Sequence, residues 1–125
     1  MLQAEAIKRR PGQAPGTTGE RLVLITQGRY SGRPEAALLQ YRRIENDLLV
    51  VATNEKYRSK PDWYLNLKEE PIVQVEIGDA CFYAKASTPT GQRRLRLLPS
   101  VAEITRRIDR TVPRETAAIL LTPLN

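Results

Sequence analysis

The chain has 125 residues, 41% hydrophobic and 27% charged, which bounds one globular domain with its own core and excludes wholesale disorder or an apolar membrane span. Histidine is absent and cysteine occurs once, at Cys81, so serine–histidine and cysteine–histidine catalysis, a disulfide framework and a multi-cysteine metal site are excluded; core packing is the reading for Cys81. The formal net charge of +6 comes mostly from arginine and favours anionic partners without choosing among phosphates, acidic cofactors, nucleic acid or an anionic membrane.

Residues 1–20 carry cations with Pro11, Gly12, Pro15, Gly16 and Gly19, and lack the apolar stretch of a secretory signal. They read as a flexible N-terminal arm and the location as cytoplasmic, with 21–125 as the folded domain. Arg21-Leu22-Val23-Leu24-Ile25-Thr26 is an apolar, β-branched run that ends in a glycine-containing turn, the pattern of a buried strand. Ala36 to Tyr41 predicts a second strand and Leu48 to Thr53 a third, joined as a hairpin by Glu45-Asn46-Asp47. Lys60-Pro61-Asp62 opens a short helix that carries Trp63 and Leu67 on one face and stops near Pro71. Ile72 to Ile77 and Cys81 to Ala86 form a second hairpin around Gly78-Asp79, with Gln74 and Glu76 toward solvent. Thr90 to Leu98 and Ser100 to Arg107 read as two helical pieces interrupted at Pro99, the second opened by a capping box of Ser100 and Glu103. Thr116 to Thr122 is the last strand and closes the sheet. Strands in succession with one inserted helix predict a mainly β (α+β), six-stranded antiparallel barrel.

The turn Gly28-Arg29-Tyr30-Ser31-Gly32-Arg33-Pro34 gathers backbone N–H groups, a hydroxyl and two guanidinium forks, which suits a phosphate or carboxylate. A surface turn with solvated arginines has the same composition. Arg93, Arg94, Arg96, Arg106, Arg107 and Arg110 make a second basic cluster that fits a solvated helical face as well as a partner site. Nucleic acid is disfavoured: aromatic residues make up 6% of the chain and Tyr30 is the one aromatic in the basic turn. Without histidine, an enzyme here works with Arg, Lys, Tyr, Ser, Thr, Asn, carboxylates and backbone dipoles, which points toward chemistry carried by an organic cofactor.

Leu24-Ile25-Thr26-Gln27-Gly28-Arg29-Tyr30-Ser31-Gly32-Arg33-Pro34 resembles the first motif of the deazaflavin-dependent nitroreductase family. Val50-Val51-Ala52-Thr53-Asn54, Pro61-Asp62-Trp63-Tyr64-Leu65-Asn66-Leu67, Glu70-Pro71-Ile72-Val73-Gln74-Val75 and Asp109-Arg110-Thr111-Val112-Pro113 are similar to its later segments, in the same order. The resemblance implies a split β-barrel of the FMN-binding type holding coenzyme F-420, with FMN as the alternative cofactor. It also implies hydride transfer to a small electron acceptor such as a quinone or nitro compound, and pairing of two chains as a homodimer. Carried over by position, Gly28, Arg29, Tyr30, Ser31, Gly32 and Arg33 would hold the cofactor's phosphate or polyanionic tail. Ala52, Thr53 and Asn54 would meet the phosphate linker or ring edge, and Tyr64 and Asn66 are further candidates, while Trp63 reads first as core. Tyr30 stands where the family has lysine, Glu35 where it usually has arginine, and Glu55-Lys56 where it commonly has a glycine pair. A non-catalytic barrel that binds a flavin, a deazaflavin or another anionic small molecule is the alternative.

Overall fold

The computed structural model describes residues 20–53, 60–108 and 116–124. The arm at 1–19, Asn54 with Glu55-Lys56, and the motif Asp109 to Pro113 lie outside the described residues. Seven strands and two helices follow in the order β1 (Arg21–Gln27), β2 (Pro34–Gln40), β3 (Arg42–Ile44), β4 (Asp47–Thr53), α1 (Asp62–Glu69), β5 (Ile72–Ile77), β6 (Ala80–Ser87), α2 (Gly91–Ile108) and β7 (Thr116–Pro123). All pair antiparallel in one sheet of spatial order β2-β1-β5-β6-β7-β4-β3.

That order forces the sheet to curl. Its two edge strands, β2 and β3, are separated in the chain by Tyr41 alone. A flat sheet of this width would hold its edges about 29 Å apart at ~4.8 Å per strand step. The two peptide steps from Gln40 to Arg42 span about 7 Å. The sheet is therefore rolled into a split barrel, and Tyr41, 4% exposed, is the joint, its N–H donating to the Glu20 carbonyl at 3.1 Å.

This joint accounts for seven strands where the sequence predicts six. β2 pairs with β1 rather than with β4, and the predicted hairpin around Glu45 is made by the short β3, with Glu45 itself in the left-handed region at φ 56°. β7 does not close the sheet at an edge: it lies between β6 and β4 and joins the two halves.

The interior follows strand alternation. Leu22 and Leu24 of β1, Leu48 and Val50 of β4, Val73 and Val75 of β5 and Ile119 and Leu121 of β7 point inward, and Leu67 of α1 plugs one end. Alternation also corrects Cys81, which is exposed. On β6 the buried positions are Ala84 and Ala86, so the odd-numbered residues face outward. A second layer forms where Leu97, Val101 and Ile104 of α2 pack on Leu49, Val51, Ala118 and Leu120 of the outer sheet face.

The same contacts explain why α2 runs unbroken through Pro99. Leu97 and Val101 flank the proline on one buried stripe, and their burial offsets the lost backbone hydrogen bond. Leu95, whose carbonyl loses its donor to the proline ring, is 57% exposed, where water can serve it. Ser100 is then interior to the helix, so the predicted capping box does not form.

Ile104 is fully buried, and Ile104→Ala is expected to destabilise the fold by about 3 kcal/mol in urea titrations, the range for a large-to-small core change. Burial, then a hydrogen bond with Glu20, raise the Tyr41 pKa above its ordinary 10.0. The neutral phenol is thus favoured in the folded state, a contribution complete below pH 10 and lost as pH rises through the folded-state pKa. Tyr41→Phe should flatten the fall in stability that denaturation measures as the pH is raised above 10.

Candidate functional site

β1 delivers the chain into a tight turn. The Gly28 N–H donates to the Arg33 carbonyl and the Gly32 N–H to the Gly28 carbonyl, each at 2.8 Å, and Gly32 has φ 72°. A side chain at 28 would put its Cβ 2.9 Å from Glu35 Cδ, so glycine there lets the Ser31 and Glu35 side chains fold over the turn.

What holds this turn to the barrel is a buried carboxamide. Among the described residues, Thr26 and Asn66 are the polar side chains that the core encloses, each 1% exposed. Asn66 Nδ2 donates to Thr26 Oγ1 at 3.1 Å and to Glu35 Oε1 at 2.9 Å. Its Oδ1 accepts from the Arg29 N–H at 3.1 Å and from Arg29 Nη1 at 2.8 Å. Both donors and both acceptor positions of the amide are used.

Arg29 also reaches the N-terminal end of α1, donating from Nη1 to the Asp62 carbonyl and from Nη2 to its carboxylate at 3.2 Å. Desolvation is the largest single influence on the guanidinium and opposes its charge, but the hydrogen bonds and charge attraction of Asp62 and Tyr30 together outweigh it and raise the Arg29 pKa above its ordinary value, so Arg29 is a fixed cation. Tyr30 lies over that guanidinium at 4.6 Å from ring centroid to Cζ and is otherwise 89% exposed. Ser31 Oγ donates to Glu35 Oε2 at 3.2 Å and accepts from the Arg33 N–H at 3.1 Å. The Arg33 side chain is exposed and enters no ion pair among the described residues.

On its other side α1 walls a groove of about 450 Å³, within the range of small-molecule sites. Leu38, Leu39, Val51, Pro61 and Trp63 supply apolar walls, and Arg21, Gln40 and Thr53 the polar groups. Gln40 Oε1 is buried and has no hydrogen-bond partner among the described residues. A buried acceptor without a donor is unfavourable unless a ligand or water supplies one. A second cleft, about 460 Å³, opens on the outer sheet face between Gly32, Pro34, Ile72 and Tyr83, and it encloses no such orphaned group.

A family model described as F420H(2)-dependent quinone reductase matches residues 2–116. The chain belongs to that family. An F420H(2)-dependent quinone reductase of Mycobacterium tuberculosis is 34% identical over 72 residues, 58% of this chain and 45% of that protein. The chain spans about half the length of such curated relatives. Among solved structures, an F420-H2 dependent reductase (FDR-A) aligns with a TM-score of 0.59 at 20% identity, covering 82% of this chain and 93% of that one. The heme storage protein HutZ of Vibrio cholerae aligns at 0.63 with 16% identity, covering 85% and 82%. At such identities these structures share the split-barrel fold rather than a ligand.

Within this quinone reductase family chain, the structure sorts the motif residues. It brings Gly28, Arg29, Tyr30, Ser31, Gly32 and Arg33 together in one turn, but Arg29 and Ser31 are turned toward the protein's own carboxylates. Ala52 is fully buried in the core, and Thr53 lines the groove. Tyr64 packs against the core beneath Lys68, and Trp63 both packs on the core and faces the groove. Gln40, Arg21, Thr26, Glu35 and Asp62 are the additions. Thr26 and Asp62 lie inside the recognised motifs, whereas nothing in the local sequence around Gln40 marks it.

Removing the amide should expose its role. Asn66→Ala leaves the Arg29 N–H, the Thr26 hydroxyl and the Glu35 carboxylate without their partner, and a loss of about 3 kcal/mol is expected in chemical denaturation.

Proposed function

We propose that this chain is a coenzyme F-420-dependent oxidoreductase that reduces a quinone. The observation that carries the reading is the placement of α1: Pro61 and Trp63 wall the groove, while Asp62 and Asn66 on the same helix anchor the basic turn. One rigid element thus relates an aromatic-sized groove to the turn that carries Arg33, which matches a planar ring joined to a phosphate-bearing tail.

The donor set fits that cofactor. Apolar walls with an indole suit a flat ring, the orphaned Gln40 Oε1 calls for a donor such as a ring N–H or hydroxyl, and Arg21 and Thr53 serve acceptors at the ring edge. Arg33 is the cation of the turn free to meet a phosphate, and the net charge of +6 draws in a polyanion. When bound, the reduced deazaflavin supplies a hydride, which with one proton turns a quinone into a hydroquinone. The protein's part is to orient the ring through Gln40 and Thr53 and to exclude water with Leu38, Leu39 and Trp63. A chain without histidine can do both.

Titration of the protein with reduced coenzyme F-420 and with FMN, followed by fluorescence, tests the cofactor, and oxidation of the reduced deazaflavin by quinone and nitroaromatic acceptors tests the reaction. The expected result is preferential binding of the deazaflavin with turnover on a quinone. Preference for FMN refutes the cofactor, and tight binding without turnover assigns a carrier. Arg33→Ala should weaken the tailed cofactor about tenfold at low ionic strength, with the difference narrowing as salt is raised.

A further inference from the structure

We propose that Glu35 is a specificity-determining residue: its carboxylate occupies the anion cradle of the turn and selects against ligands that carry much negative charge there. The inference rests on the deazaflavin reading above. The turn has the parts of an anion site, with a glycine at 28 where a Cβ would meet Ser31 and Glu35. The space that this glycine leaves is filled from within the chain. Glu35 Oε2 accepts a hydrogen bond from the Ser31 hydroxyl at 3.2 Å and Oε1 accepts one from Asn66 Nδ2 at 2.9 Å, the two donors that an incoming phosphate would otherwise find.

The remaining donors are committed in the same direction. The Arg29 N–H and Nη1 end on Asn66 Oδ1, and Nη2 ends on the Asp62 carboxylate. The Gly28, Gly32 and Arg33 N–H groups close the turn on itself. The turn and its anchor carry two guanidinium groups, Arg29 and the exposed Arg33, and two carboxylates, Glu35 and Asp62, so the lip is close to neutral although the chain as a whole is strongly basic. A second anion placed here either displaces Glu35 from Ser31 or lies beside it against like-charge repulsion. Glu35 thereby sets a preference for cofactor forms with a short, lightly charged tail.

Glu35→Gln tests this, because the amide oxygen keeps the acceptor for Asn66 while the charge is removed and the second position becomes a donor that Ser31 Oγ can accept. Affinities are measured at low ionic strength for coenzyme F-420 with a polyglutamate tail, for the tailless and phosphate-free deazaflavin, and for inorganic pyrophosphate. Glu69→Gln, an exposed change at the far end of α1, controls for net charge. The expected result is that Glu35→Gln tightens the tailed cofactor and pyrophosphate about tenfold and leaves the tailless form unchanged, while Glu69→Gln does neither. Equal effects on tailed and tailless forms, no effect, or an equal effect from Glu69→Gln overturns the proposal. If neither protein binds a deazaflavin, the functional reading falls on its own, and pyrophosphate still decides: tighter binding by Glu35→Gln supports the occupied cradle and unchanged binding refutes it.

Discussion

Asn66 has four hydrogen-bonding positions and almost no access to water, so the fold has to present Thr26, Glu35 and two donors of Arg29 to it at once. An unmet group at that depth costs about 1–3 kcal/mol, and a charged one more, which makes partial arrangements unfavourable. The amide therefore acts on three elements together. It holds α1 against β1 through Thr26, the turn against α1 through Arg29, and the start of β2 against both through Glu35. Because the network is fully satisfied, the turn has one preferred conformation, and the groove wall formed by Pro61 and Trp63 takes its position from the same helix.

The groove itself is a consequence of how the barrel closes. Tyr41 brings β2 round to β4, but the two strands are not hydrogen-bonded neighbours in the sheet, where β2 ends one edge and β3 covers β4 at the other. Residues at this seam are paired on one side only, Gln40 with Arg21 of β1 and Thr53 with Thr116 of β7, and no ladder crosses the seam. Leu38, Leu39 and Gln40 on one bank face Val51 and Thr53 on the other, and the Gln40 oxygen meets no donor among the described residues. A split barrel thus generates a binding groove from its own topology. The chemistry of the groove depends on which residues fall at the seam, and the fold is shared by proteins as different as an F420-H2 dependent reductase and a heme storage protein.

Apolar, β-branched runs and the alternation of Ile72 to Ile77 make the strands visible in the sequence, and the motif carried by Gly28 to Pro34 locates the turn, because such runs and glycine placement are local properties. The misreadings were all non-local. Tyr41 looks like the last residue of a strand, and only the sheet order shows it to be a corner between two edges. Pro99 looks like a break, and only the packing of Leu97, Val101 and Ile104 on β4 and β7 shows why the helix continues. Cys81 looks like core because cysteine is usually buried, but its face follows from the register of Ala84 and Ala86. At the site, Arg29 and Asn66 were visible as motif members, whereas their binding to each other across 37 positions of sequence was not. Gln40 gave no signal at all, since an orphaned acceptor is defined only by what surrounds it.

Composition alone makes the basic turn an anion trap, and geometry alters that conclusion. Arginine reads as a ligand contact in a sequence because its charge is permanent, yet a guanidinium bound to Asp62 and to a buried amide is a structural brace, and its field is largely met by the carboxylates beside it. Tyr30 in the lysine position and Glu35 in the arginine position act in one direction, toward a lip that is ordered before any ligand arrives and weakly charged when it does. Preorganisation lowers the cost of binding for the right ligand, while the lost cations lower the attraction for any anion. Under the function proposed above, recognition then shifts from charge at the turn to shape and hydrogen bonding in the groove, where Trp63 and Gln40 stand.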